Sequence, residues 1–328
     1  MVLPALTDTL PRASIENVLS IEDSFEVLVI GAGSAGLNAA LVLGRARRRT
    51  LLLDHGPPRN APAHASHGLL TRDGAPPLEL TRLARQQLAP YPVTLHPDHA
   101  HTVTPDPDGF IVTLTGGATV HARRLLLATG VTDLLPGIPG LREGWGSTVH
   151  HCPYCHGWEV RDQHLADLIP GGGDMAYHRG VLLRQWTPHL TLLTHGPDHL
   201  SADQRANLAH LGVHIDERSV TGWDGRHVTF ENGPSMERDA LFVTPGQAQR
   251  STIPEQLGCT RIERGPLAGI LLKVTPESGL TSVPGVYAAG DMIGEQQVVL
   301  AAASGARAAA AINADLAFED AARRPTSA

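Results

Sequence analysis

With 328 residues, 42% hydrophobic content and a formal net charge of −7, the chain is long enough for two compact domains and has no basic surplus to hold nucleic acid or an anionic membrane. Its three cysteines, Cys152, Cys155 and Cys259, are too few for a disulfide scaffold, so a reducing cytoplasm fits, with the close pair left for chemistry. Apolar stretches are interrupted by charge, Gly and Pro short of the roughly 18 residues of a membrane helix. Residues 1–24, with Asp8 and Glu16 and no basic-then-apolar run, read as a loose or partly helical leader and not as a secretory signal.

Phe25–Ile30 has the pattern of a buried parallel strand and runs straight into Gly31-Ala32-Gly33-Ser34-Ala35-Gly36. Leu37–Arg45 then reads as a helix and Thr50–Asp54 as the next strand, which completes a βαβ unit. In such a unit the glycines allow a tight turn, close backbone approach to a pyrophosphate and close helix–strand packing. The helix N-terminus offers N–H groups to the phosphates, and Asp54 stands where a carboxylate grips ribose hydroxyls. Pro57–Pro77 is a turn-rich loop carrying Arg59, Asn60 and His67, and it covers part of the cofactor. Phe110–Leu114 and Val120–Leu127 read as strands leading into the small-residue turn Ala128-Thr129-Gly130.

Asp133–Gly144, rich in Pro and Gly, reads as a hinge. After the run Cys152-Pro153-Tyr154-Cys155-His156 comes a second glycine motif, Gly171-Gly172-Gly173-Asp174-Met175-Ala176. Asp167 is expected to interrupt the strand before it, and Pro170 to stiffen the approach. Leu190–Leu193 and Leu241–Thr244 read as strands and Ala202–Leu211 as a helix. A final block holds Val283–Asp291, ending in Gly290-Asp291, and an alanine-rich helix from Gln297 to Leu316.

Two cysteines separated by two residues can close a small disulfide ring and reopen it, so the pair can hold two electrons. The thiolate is the reactive form, and a neighbouring imidazole can accept its proton. His156 is the first candidate acid–base and His151 the second. His150 is expected to be solvent-exposed, and Cys259 to be an inert thiol. Haem attachment at Cys-x-x-Cys-His would need an exported chain. A zinc site would need histidines adjacent to the cysteines to converge on one tetrahedron, so no metal is expected.

These motifs together resemble the low-molecular-weight thioredoxin reductase family of flavoproteins over nearly the whole chain after Phe25. The resemblance implies an α/β fold of two Rossmann-like three-layer domains: a discontinuous FAD domain over 25–131 and 246–328, and an inserted NAD(P)-type domain over 132–245 that carries the cysteines. It implies a homodimer, Asp291 on the flavin ribityl chain, and Gln297 with Val298 near the isoalloxazine ring. It also implies that Cys155 faces the flavin and Cys152 exchanges with substrate.

Two departures from the family matter. The His-Arg-Arg pattern that meets the NADPH 2′-phosphate is replaced by Thr194-His195-Gly196-Pro197-Asp198, so efficient use of NAD(P)H is not expected unless Arg179, Arg184 or another residue supplies the charge. His156 stands where thioredoxin reductases carry an aspartic acid. In this the chain resembles the dithiol oxidases that close the disulfide of gliotoxin- and holomycin-type metabolites. Those enzymes pass electrons from a small-molecule dithiol through the cysteine pair and FAD to oxygen, giving hydrogen peroxide. The alternatives are a nicotinamide- or ferredoxin-driven reductase of thioredoxin or a small disulfide, and a non-catalytic flavin redox sensor.

Overall fold

The computed structural model describes residues 24–263 and 269–323. The leader expected over residues 1–24 lies outside them, except for Ser24, which already belongs to the first strand, Ser24–Ile30. That strand is the centre of the larger sheet. It pairs in parallel with Thr50–Leu53 on one side and Thr119–Leu127 on the other. Beyond Thr50–Leu53 lies the parallel strand Val93–His96; beyond Thr119–Leu127 come antiparallel Gly109–Leu114 and Ala100–Asp106. Val286–Ala288, from the far end of the chain, joins the same sheet in parallel with Thr119–Leu127. The two central strands carry Leu28, Val29, Leu125 and Leu126 fully buried, which is why both read as near-continuous apolar runs.

Helix Ser34–Arg45 packs on this sheet and against the C-terminal helix Val298–Arg323, where Asn38 donates to the Ala302 carbonyl at 2.7 Å. That last helix runs past Leu316, where its end is held by two arginines of strand Thr119–Leu127 and by Arg48 from the segment just before Thr50–Leu53. Arg124 grips Asp315 and Glu319, and Arg48 and Arg123 grip Asp320. A helix over Pro77–Leu88, opened by a proline at its first position, follows the early loop.

The smaller sheet is wholly parallel, in the order His214–Asp216, Leu190–Leu193, Leu165–Leu168, Ala240–Val243, Val149–His150. Helices Gly173–Leu183 and Ala202–His210 and a three-stranded antiparallel sheet (Val220–Trp223, His227–Phe230, Met236–Glu237) complete its layers. Asp167 does not interrupt its strand. It sits inside Leu165–Leu168, fully buried, with its charge met by Arg179 at 2.6 Å. The chain passes between the two sheets along an antiparallel pair, Val131–Leu134 with Gly246–Gln249. The expected hinge Asp133–Gly144 therefore begins in a paired strand and ends in the helical turn Leu141–Gly144. Among the described residues no helix is long and apolar enough to cross a membrane.

Candidate active site

The carboxyl ends of the larger sheet's parallel strands open on a cleft of about 470 Å³, which the dithiol segment also lines. At its floor, Gly31 adopts φ +109°, and a Cβ there would stand 2.4 Å from the Ala128 carbonyl oxygen. At Gly36 a Cβ would stand 1.8 Å from the Gly31 oxygen. Only hydrogen fits at either place, so the loop, the turn Ala128-Thr129-Gly130 and the head of the helix are drawn together. Gly33, facing open space, caps the helix without a side-chain bond. Among the described residues the N–H groups of Gly33, Ser34 and Ala35 have no protein acceptor. They form a cradle for a phosphate at the positive end of a 12-residue helix.

Every residue expected at the cofactor lines this cleft except Gly36, which packs behind the loop. Asp54 pairs with Arg85 and accepts the Gly56 N–H at 3.2 Å. Arg59 forks onto Asp133 (2.7 and 2.6 Å) and reaches Asp291 at 3.3 Å. Burial pushes the Asp291 carboxyl above its ordinary range, against the pull of Arg59. Asn60 donates to Ser66 Oγ at 3.1 Å and ties the early loop to itself. His67, in the same loop, lies 3.4 Å from Glu159, just past the dithiol. Gly290, Gln297 and Val298 close the far wall.

Sequence reasoning missed His55 and His99, which stack with ring centroids 4.0 Å apart, and also Asp98, Asp133, Trp145 and Arg250. His55 and His99 follow two parallel strands at their carboxyl ends, where ligands of such sheets lie. The short strand Val93–His96 went unread because Val-Thr-Leu-His is neither a continuous apolar run nor a long alternation.

Cys152 and Cys155 form a disulfide with Cα atoms 5.2 Å apart. The Cys152 carbonyl accepts the N–H of Cys155 (3.1 Å) and of His156 (3.2 Å), which starts the helical turn Pro153–His156. His150, expected at the surface, is only 6% exposed. Its strand lies in register beside Phe242, so its ring enters the interior and stacks on His156 at 4.4 Å. Burial, with His156 and His151 adding, lowers the His150 pKa to about 3. His151 stacks on Trp145 at 5.6 Å, and burial, helped by Arg59, lowers it to about 4. His156 is lowered as well, by burial and His67, with Glu159 opposing. At neutral pH these imidazoles are unprotonated, and the lowering that keeps them so also weakens them as bases. The Nδ1 atoms of His150 and His156 are buried with no hydrogen-bond partner among the described residues. Cys259 lies apart, buried 3.8 Å from Thr281 Oγ1.

The second glycine loop is built differently. Its three N–H groups are used inside the protein: Gly171 donates to Thr194 O (3.0 Å), Gly172 to Ile169 O (3.0 Å) and Gly173 to Asp198 O (2.6 Å). A Cβ at Gly172 would stand 2.0 Å from that same Asp198 oxygen. Asp198 is buried and paired with Arg205, which also lies 3.8 Å from Glu217. His195 accepts the Val220 N–H at 2.9 Å. Arg179 is committed to Asp167 and the His151 carbonyl, and Arg184 to the Leu211 carbonyl.

Few protein classes need an open dinucleotide cradle and a reversible disulfide on one cleft; flavin-dependent disulfide oxidoreductases do. The chain belongs to the pyridine nucleotide-disulphide oxidoreductase family, whose model matches residues 25–310. It is 40% identical to the crystal structure of HlmI, with a TM-score of 0.85 over 93% of this chain and 96% of that one. An oxidoreductase from Agrobacterium tumefaciens is 38% identical, with a TM-score of 0.84 over 90% of this chain and 99% of that one. Thioredoxin reductase sirT of Leptosphaeria maculans is 32% identical over 313 residues, 88% of this chain and 93% of that protein. The chain is thus a thioredoxin reductase-like oxidoreductase acting on sulfur groups, with FAD as its cofactor. The free N–H groups at Gly33 to Ala35 and the buried Asp291 fit that group.

Proposed function

We propose that this protein oxidises a small-molecule dithiol to its disulfide, with Cys152–Cys155 as the exchanging pair and dioxygen as the final acceptor. The sum is dithiol plus dioxygen giving disulfide plus hydrogen peroxide. A substrate thiolate attacks Cys152, breaking the Cys152–Cys155 bond and releasing Cys155 as a thiolate. The second substrate thiolate attacks the same substrate's sulfur in the mixed disulfide and releases Cys152. His156 takes up the proton that the attacking thiol gives away, and His151 is the second candidate for that role. FAD held at the Gly33–Ala35 cradle and Asp291 would supply the two-electron acceptor for the reduced cysteines.

The observation that carries this reading is the contrast between the two nucleotide loops at their matching glycines: among the described residues the Gly33 N–H has no protein acceptor, while the Gly173 N–H is bonded to the Asp198 carbonyl. A chain fed with electrons by a dithiol has no need of a second dinucleotide. A homodimer and a cytoplasmic setting belong to the same proposal. The name of the Leptosphaeria maculans relative, a thioredoxin reductase, favours a second reading, in which NAD(P)H drives reduction of thioredoxin or a small disulfide.

Anaerobic protein mixed with NADPH in one cuvette and dithiothreitol in another separates the readings. Bleaching of the flavin by the dithiol alone, with peroxide formed on admitting air, is the expected result. Fast bleaching by NADPH would establish the reductase, and bleaching by neither would leave a redox sensor.

A further inference from the structure

The strand Leu165–Leu168 reads Leu-Ala-Asp-Leu and is buried at every position. A carboxylate inside a parallel sheet is costly unless its charge is met and its oxygens are bonded. Arg179, from the helix behind the second glycine loop, meets Asp167 with a fork: Nε lies 2.6 Å from Oδ2 and Nη2 3.0 Å from Oδ1. Its remaining nitrogen, Nη1, donates to the carbonyl oxygen of His151 at 3.2 Å. His151 is the residue before Cys152, so one guanidinium grips both a buried acid and the peptide leading into the disulfide.

The sheet extends the connection. Asp167 lies in register beside Phe242, and Phe242 beside His150. The His150 ring packs on Phe242 at 5.6 Å and stacks on His156 at 4.4 Å. A continuous row therefore runs from the ion pair to the imidazole that adjoins Cys155. The pair touches the dithiol segment through a backbone oxygen, and the Arg179 charge adds only the smallest of the contributions that lower His151, so what the pair chiefly supplies is orientation.

We propose that Asp167 and Arg179 are positioning residues that hold the His150-His151-Cys152 segment so that Cys152 presents its sulfur to substrate. The helix behind the closed glycine loop then has a task in this chain: it steadies the dithiol instead of a nucleotide. This inference rests on the reading of Cys152–Cys155 as the working pair, and it is independent of the electron acceptor.

The test uses the FAD-loaded protein and the double variant Asp167→Leu/Arg179→Met, because a buried ion pair replaced by apolar residues of similar size commonly leaves a fold intact. After reduction, the rate constant for iodoacetamide modification of Cys152 is followed against pH by peptide mapping. The midpoint potential of the cysteine pair is set against a glutathione buffer. The expected result is unchanged FAD content, alkylation and dithiothreitol-dependent bleaching slowed about ten-fold or more, and a shifted potential. Wild-type rates and potential in the double variant would overturn the proposal. Arg179→Lys keeps a charge on Asp167 but cannot span both partners, so it should slow alkylation about three-fold; a wild-type rate there would also overturn it. A wild-type pair that resists alkylation after reduction would overturn this inference together with the exchange mechanism. None of these readouts involves oxygen, so failure of the oxidase assignment alone would leave the positioning role and the exchange mechanism standing.

Discussion

Two glycine loops follow two parallel strands in this molecule, and they differ at the glycine heading the helix, whose N–H among the described residues is free at Gly33 and bonded to Asp198 O at Gly173. At the first, a single residue, Gly31, takes a left-handed conformation, and the helix head beyond it is free of protein acceptors among the described residues. At the second, Gly171, Gly172 and Gly173 all have positive φ and each spends its N–H on a neighbouring carbonyl, although the Asp174 and Met175 N–H groups at the helix head are free among the described residues there too. The difference comes from the segment after the next strand. Asp54 stops at the rim of the first cleft, whereas the Asp198 backbone folds back onto Gly172 and Gly173. A glycine signature supplies permission for a close backbone approach, and the neighbouring loop decides whether a ligand or the protein itself takes the place.

Substitution tests that comparison most severely at the first loop. Gly36→Ala puts a methyl group 1.8 Å from the Gly31 oxygen, and the expected outcome is nearly complete loss of FAD, read as flavin absorbance after gel filtration. Gly173→Ala, where a Cβ meets open space at φ +63°, should cost only ~1 kcal/mol of stability and leave FAD content and dithiol turnover unchanged. Lost turnover with FAD retained would make the second loop part of the working machinery and end the contrast.

Cys152→Ser should lower dithiol-dependent turnover by roughly 1000-fold or more while FAD stays bound, since the attacked sulfur is gone. Substantial residual turnover would move the chemistry away from the pair.

Acid should expose the cost of the buried imidazole row. The His150 pKa is lowered from 6.5 to about 3, so the unfolded chain binds the extra proton between those values. Stability therefore falls as pH drops below about 6.5, by up to roughly 5 kcal/mol across the window. His150→Phe, which can still stack on His156, should make the fall of the urea midpoint below pH 6.5 shallower, with His151 and His156 still contributing to it. Equal slopes in both proteins would assign the acid sensitivity elsewhere.

The smallest effect belongs to the closed loop's outer support. Glu217 is half-exposed and accepts the Asp198 N–H at 3.1 Å. Glu217→Ala should cost about 1 kcal/mol in urea unfolding. FAD content should not change, and NADPH should still fail to bleach the flavin.

The residues around the first loop were legible because their meaning is local. Strand, glycines, helix and Asp54 follow one another within a single βαβ unit, and the Cys-x-x-Cys ring closes over four consecutive residues. Gly290-Asp291 was legible only through resemblance, since a strand-to-helix turn reads the same with or without a ligand. Asp167 was misread for a definite reason. A charge in an apolar run looks like a break until its partner is seen, and Arg179 comes from another element. His150 was misread because a two-residue strand has no pattern of its own, and only its register beside Phe242 shows that it points inward.

What the sequence determined by itself is therefore the dinucleotide unit, the two-electron cysteine pair and the pairing of these with a second glycine motif. Short-range backbone geometry dictates each, with few ways to satisfy it. Tertiary structure alone decided that the second loop is closed by Asp198, that Arg59 bridges Asp133 and Asp291, that His67 reaches Glu159, and that Asp167 and Arg179 hold the peptide before Cys152. Those outcomes depend on which face of a sheet a side chain enters and which distant carbonyl or carboxylate it meets there. Hydrogen bonds and ion pairs are short-ranged and directional, so they are settled only when the packed elements bring their partners within reach.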